Sequence, residues 1–297
     1  MKHGLRRWVP TALTDRVRAS DIAERRLAKR LASTSKRLDV CSAQFAMDLH
    51  LSACPPLAGR VCLEIGTGWV LTHALVCYLL GARRVVASDI SPHAHPEALQ
   101  AAVQQSVASI VRDVLAPFEE HSLVRRRLDR LLSIKSFDHE VLKDLGIEHV
   151  APIDFAKDRL GRPVDFIFSN SVLEHVPSDD VRPLLRNVSA DLSRDGFMLH
   201  NIHLEDHADV TGAPFGFLSL PDADYGRSLQ SSRGNRIRKS VWQQYFAELP
   251  DTTSSLIYEW SRRDRPLPAH VDQSVRNEGP DDLRISHIGV YASRPKG

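Results

Sequence analysis

An α/β fold built on one seven-stranded sheet is what this sequence predicts, and three observations predict it. The apolar run "RVCLEIG" (60–66) ends in glycine, "VLTHALVCYLLGA" (70–82) has helical spacing, and "RVVASDI" (84–90) is a second apolar run ending in an acid. Strand, glycine turn, helix and strand in about thirty residues make a βαβ unit, which implies a parallel sheet and a right-handed crossover. Next come three more strand-like runs: "EHVAPIDF" (148–155), "VDFIFSNSVLEHV" (164–176), which passes into a helix, and "GFMLHNIHLED" (196–206). Last, "SSLIYEWSRR" (254–263) and "RISHIGVYASR" (284–294) read as an antiparallel pair closing five parallel strands.

The remaining segments fall between these strands. Residues 1–58 read as a helical N-terminal cap, closed by Pro55-Pro56. Residues 59–297 form the main domain. Within it, "HPEALQAAVQQSVASIVRDVL" and "EEHSLVRRRLDRLLSI" make 92–146 a helical insertion, too long for one crossover and expected to form part of a lid. The irregular stretch 207–250 reads as a substrate loop.

Composition narrows the function classes. The chain has 297 residues, 42% hydrophobic and 26% charged, as in ordinary globular proteins. It has no apolar run of membrane-spanning length and no apolar core of a signal peptide, so a cytoplasmic protein is expected. Cys41, Cys54, Cys62 and Cys77 form no CxxC pair and read as reduced thiols. A net charge of +2 hides a basic start, with twelve Lys or Arg against five Asp or Glu in residues 1–60. Interleaving with Leu and Ala ("RRLAKRL", "SKRLDV") makes a solvated amphipathic face the first reading and RNA contact the second.

In an open α/β sheet the ligand lies beyond the carboxyl ends of the strands. Those positions hold Glu64, Gly66, Thr67, Gly68 and Trp69, then Asp89 and Ile90, then Asp154 and Phe155, then Ser169, Asn170 and Ser171. Glycines 66 and 68 let a ligand approach the backbone. A carboxylate such as Asp89, 21 residues past Gly68, suits a ribose diol. The third glycine of a dinucleotide loop is missing and Trp69 follows the second, which weakens a pyrophosphate reading.

With "LEIGTGW", "SDI", "IDF" and "SNSVLEHVP" in this order, residues 60–205 resemble the class I S-adenosylmethionine-dependent methyltransferases. Glu64, Gly66 and Gly68 match that family's first motif, with Val70 in place of its last glycine. The resemblance implies a Rossmann-like sheet of order 3-2-1-4-5-7-6 with the last strand antiparallel. It also implies S-adenosylmethionine as cofactor. Gly66 and Gly68 would approach the methionine part with Glu64 steadying the loop, Asp89 would bind the ribose, Ile90, Asp154 and Phe155 the adenine, and Asn170 and Ser171 the sulfonium. Thr67 and Trp69 belong to the same cofactor loop, Trp69 touching either the cofactor or the helical lid.

The acceptor is expected to be a small molecule. "SNSV" after strand 4 lacks the prolines and aromatic common in enzymes that methylate exocyclic nitrogens of nucleic acid. "HNIHLEDHAD" offers His200, His203 and His207 with Glu205, Asp206 and Asp209. A histidine base suits a hydroxyl at neutral pH, so His203 and His207 with Asp206 are the catalytic candidates. The same histidines also read as structural or as metal ligands, and no metal is assigned. The segment resembles methyltransferases of bacterial glycan and secondary-metabolite pathways through Asp206-His207 and Asn235-Arg236. It implies substrate roles for Asn235 and Arg236, beside His175. An RNA methyltransferase and a non-catalytic cofactor-binding protein are the alternatives.

Overall fold

A computed structural model describes residue 34 and residues 36–92 and 94–295. "RRLAKRL" and most of the expected N-terminal cap lie outside them. What is described of that cap is a helix, α1 (Arg37–Ser52), which buries Leu38, Cys41, Phe45 and Leu49 at helical spacing.

The chain then winds β1 (Val61–Ile65), α2 (Thr72–Leu79) and β2 (Arg84–Ser88) into the expected βαβ unit. Helices α3 (Pro96–Gln104), α4 (Ala108–Leu115), α5 (His121–Ser133) and α6 (His139–Asp144) lead to β3 (Ile147–Val150). β4 (Val164–Asn170), α7 (Ser178–Ser189) and β5 (Leu192–His203) follow. After α8 (Arg227–Arg233) and α9 (Lys239–Ala247) come β6 (Thr253–Ser261), the short α10 (Pro280–Leu283) and β7 (Ile285–Ser293).

The sheet has seven strands in the order β3-β2-β1-β4-β5-β7-β6, and β7 runs antiparallel to both neighbours. This is the Rossmann-like order that the motifs implied. Central strands are buried on both faces, which is why they read as unbroken apolar runs rather than alternating ones. One face packs against α1 to α6 through Phe45, Leu75, Val103 and Leu128; the other packs against α7 and α9 through Leu185, Val188, Trp242 and Phe246.

Two strand boundaries differ from the pattern. β3 stops at Val150, so Asp154 and Phe155 stand in a loop. Pro152 has no N–H for the ladder, and Ile153 N instead donates to Asp89 O at the tip of β2. β5 begins at Leu192, ahead of the polar "SRD", because a register shift lets Leu192 pair with Val164 before the apolar run pairs from Phe197.

The lid expectation fails for 92–146. Helices α3 to α6 turn Leu99, Val103, Val111, Val124 and Leu131 into the same core as α1 and α2, and none of their residues lines the cleft. Their apolar stripes face the sheet layer, where burial is worth about 25 cal/mol per Å². The four cysteines are free thiols, three of them buried. No described helix is long and apolar enough to cross a membrane.

Candidate functional site

A cleft of about 580 Å³ opens at the carboxyl ends of β1, β2 and β4, as doubly wound sheets dictate. Gly66, Asp89, Ile90, Asp154, Phe155 and Ser171 line it, with His175 on one side. The first loop is built from its own backbone. Gly66 and Gly68 take φ of +71° and +65°, and a Cβ on Gly66 would come 2.6 Å from the Val172 methyls. Thr67 N donates to Ser88 O at 2.8 Å, and Thr67 Oγ1 donates to Glu64 Oε2 at 2.9 Å. Asp89 ties in the next strand: its carboxylate accepts from Gly68 N and from Ser91 N, both at 2.8 Å. Ile90 remains 67% exposed, an apolar side chain held open at the cleft edge. Asp154 accepts from Lys157 Nζ and Ala156 N, and the Lys157 hydrogen bond holds its carboxyl below the usual range. Open space beside Gly68, a carboxylate at the β2 tip and apolar Ile90 and Phe155 fit a long ligand carrying a diol and a flat ring.

Two residues expected at this ligand point elsewhere. Trp69 packs with Val70 on Ala98 and Ala102 of α3, its ring edge-on to His95, and does not line the cleft. A bulky side chain there closes the loop onto the helical layer. Asn170 turns away from the cleft toward α1: its Oδ1 accepts from Gln44 Nε2 at 2.7 Å, and its Nδ2 lies 3.4 Å from His73 Nε2. Alternation along β4 sends Asn170 to the α1 face and Ser169 to the opposite one.

Beneath α1 lies a polar group that the sequence reading did not single out. His73 sits 3.5 Å from Glu64; burial opposes its charge, but Cys41 and Glu64 outweigh it and raise its pKa to about 10. Asp48 accepts from Asn201 Nδ2, whose Oδ1 accepts from Tyr258 Oη at 2.9 Å. Burial pushes Asp48 up to about 7, partly offset by Asn201 and His73. An acid between the apolar Phe45 and Leu49 was the available signal.

The histidines separate into different roles. His200 is wholly buried at 2.8 Å from Ser169 Oγ, and burial lowers its pKa to about 3, so it is a neutral core group. His203 Nε2 lies 2.9 Å from Glu205 Oε2, and Glu205 also accepts from Arg262. From the cleft wall inward, His175, His207, His203 and His287 form a row of imidazoles with ring centroids 4.4, 4.5 and 4.2 Å apart. Burial lowers the pKa of His175, and lowers that of His287 to about 4 with His203 adding to it.

Asp206, expected to serve with His207, is engaged by other partners. Both carboxylate oxygens accept from Arg233 and one also from Ala208 N, so Asp206 ties the loop after β5. Asn235 and Arg236, expected at the substrate, are buried and do not line the cleft. Asn235 Nδ2 donates to Leu173 O and Val176 O, pinning the turn that carries His175. Arg236 donates to Leu220 O and Asp222 and lies 4.1 Å over the Tyr225 ring. Glu174 lies within "SNSVLEHVP", and an acid preceding a histidine after β4 is the signal that could have found it. His287 had none, for it arrives from the last strand as the register partner of His203.

A family model described as a methyltransferase domain matches residues 22–249. Among solved structures, the chain is similar to YcgJ of Bacillus subtilis at 15% identity and a TM-score of 0.45, covering 86% of this chain and 100% of that one. It is similar to an O-methyltransferase family protein from Burkholderia thailandensis at 12% identity and a TM-score of 0.47, covering 90% of this chain but 60% of that one. The N-methyltransferase NodS from Bradyrhizobium japonicum, solved with S-adenosyl-L-homocysteine, is similar at 12% identity and a TM-score of 0.41, covering 86% of each chain. No curated protein sequence matches.

Proposed function

The chain belongs to the methyltransferase-domain family and is an S-adenosylmethionine-dependent methyltransferase, and we propose that it methylates a hydroxyl of a small molecule with His203 as general base. When bound, S-adenosylmethionine supplies an electrophilic methyl group on a sulfonium. Gly66, Gly68 and Thr67 would admit its methionine part over the Glu64-braced loop. Asp89 would accept the ribose protons, and Ile90, Asp154 and Phe155 would border the adenine beside Ser171.

One observation carries the choice of base: the Glu205 carboxylate lies 2.9 Å from His203 Nε2, in an imidazole row that reaches the cleft at His175. A carboxylate orients the ring and stabilises its charged form, which leaves Nδ1 to take the acceptor proton. Residues 207–250 would hold the acceptor, with Asp206, Asn235 and Arg236 supporting that segment from behind. The proposal includes a cytoplasmic location and a biosynthetic role.

The test is His203→Ala, assayed for methyl transfer and, separately, for S-adenosylhomocysteine binding. Turnover should fall about 10²- to 10⁴-fold, the range of a lost acid–base group, with cofactor affinity unchanged. Full activity in this variant would remove His203 as the base.

A further inference from the structure

The imidazole row contains a carboxylate that neither cofactor binding nor proton removal uses. Glu174 is 1% exposed, and among the described residues neither of its side-chain oxygens has a hydrogen-bond partner. An ionised carboxylate buried in this way costs several kcal/mol unless a cation or donors meet it. Two imidazoles face it. His207 Nε2 lies 3.7 Å from Glu174 Oε1 and has no hydrogen-bond partner among the described residues, and His175 adjoins His207 at the cleft wall. One ligand atom from each of Glu174, His175 and His207 can be chosen so that all lie within 4.8 Å of one another.

The geometry points to a divalent transition-metal site, of the zinc class, formed by Glu174, His175 and His207. Bonds of about 2.0–2.2 Å to two imidazoles and one carboxylate leave a coordination position open, as in catalytic rather than structural zinc sites. Hard alkaline-earth ions prefer all-oxygen shells, and two neutral imidazoles select against them.

The supporting contacts are those metal sites use. His175 Nδ1 lies 2.9 Å from Ser231 O. A carbonyl only accepts, so Nδ1 carries the proton and Nε2 presents its lone pair. Asn235 pins the turn of Glu174 and His175, donating to Leu173 O and Val176 O. His207 N donates to Arg233 O, and Arg233 is clamped by Asp206. Asp206 and Asn235 thus hold the three ligands from behind.

Of the three ligands His175 lines the cleft, with Ser231 beside it, so the cleft is the side from which an acceptor would reach the ion. An acceptor hydroxyl bound there would lose its proton more readily to His203, whose ring lies 4.5 Å from that of His207. That role rests on the hydroxyl reading above; ion binding does not.

Chelator-stripped protein titrated with Zn²⁺ by calorimetry, with metal content measured after dialysis, tests the site. One ion per chain is expected, and Co²⁺ in its place should give the visible bands of a mixed nitrogen and oxygen shell. Glu174→Gln and His207→Ala should each weaken Zn²⁺ by more than about 100-fold, beyond the loss of a supporting contact. His203→Ala should leave Zn²⁺ bound while turnover falls, which separates this proposal from that of the base. Unmodified protein that takes up no Zn²⁺ at micromolar concentration overturns the site, with no variant involved. So does an ion that survives both substitutions in folded protein, or one lost only in His287→Ala, which would place it on His203, Glu205 and His287 instead.

Discussion

The two halves of the cleft are made differently. On the β1–β2 side the walls are backbone: left-handed glycines, loop amides and one carboxylate that accepts from two of those amides. On the β4–β5 side they are side chains, with His175 at the cleft and others gathered behind it from distant segments. Glu174 and His175 come from the turn after β4, His207 from the loop after β5 and His287 from β7, with Asp48 and Tyr258 behind. A backbone-built wall is specified by a few adjacent residues and holds a ligand part common to the whole family. A side-chain wall can change residue by residue without disturbing the fold, which is how one scaffold serves many acceptors.

Asp89→Ala should produce the largest change on the backbone side. It removes the carboxylate proposed to accept the ribose diol and releases two loop amides, so S-adenosylhomocysteine affinity should fall at least ~100-fold, about 3 kcal/mol, at nearly unchanged melting temperature. Unchanged affinity in calorimetry would break the division, because the cofactor would then not depend on the β1–β2 wall.

The glycine pair sharpens it. Gly66→Ala forces a Cβ to 2.6 Å from the stiff Val172 side chain at a φ of +71°, and stability should fall by roughly 2–3 kcal/mol in denaturant titration. Gly68→Ala meets no atom within 4 Å, so it should lose only the left-handed strain, about 1 kcal/mol, while cofactor affinity drops. Equal stability losses in the two variants would count against the packing of the loop on Val172.

A smaller effect concerns the side-chain wall. Asp48 has a folded pKa of about 7 against 3.8 unfolded, so its favourable contribution is complete below pH 3.8 and is lost as pH rises through 7. Asp48→Asn should flatten that loss: relative to the parent, the variant gains about 3 kcal/mol between pH 5 and pH 8. Parallel stability curves would mean that Asp48 is not held protonated by its burial.

Much of the backbone side was legible because its information is local. A glycine after a strand and an acid at the next strand's tip are set by chain geometry within some 25 residues, and each lies at the cleft. Trp69 and Asn170 show the limit of such reading, since position after a strand does not say which face a side chain takes. On the acceptor side the residue types were legible and their partners were not. The histidines after β5 stood out, while Asp206, expected among the catalytic residues, and Asn235 and Arg236, expected at the substrate, instead hold loops.

By itself the sequence determined the strand pattern and the glycine-turn cleft, because burial on both sheet faces and left-handed turns leave periodic or punctual marks; the cofactor class came from the resemblance of its motifs to a family. Only the tertiary structure decided which imidazoles meet which carboxylates. Asp48 and Asn201 are 153 residues apart, and His203 meets His287 only through the β5–β7 register. Pairings of that kind arise from sheet order and side-chain direction, which no short stretch of sequence records.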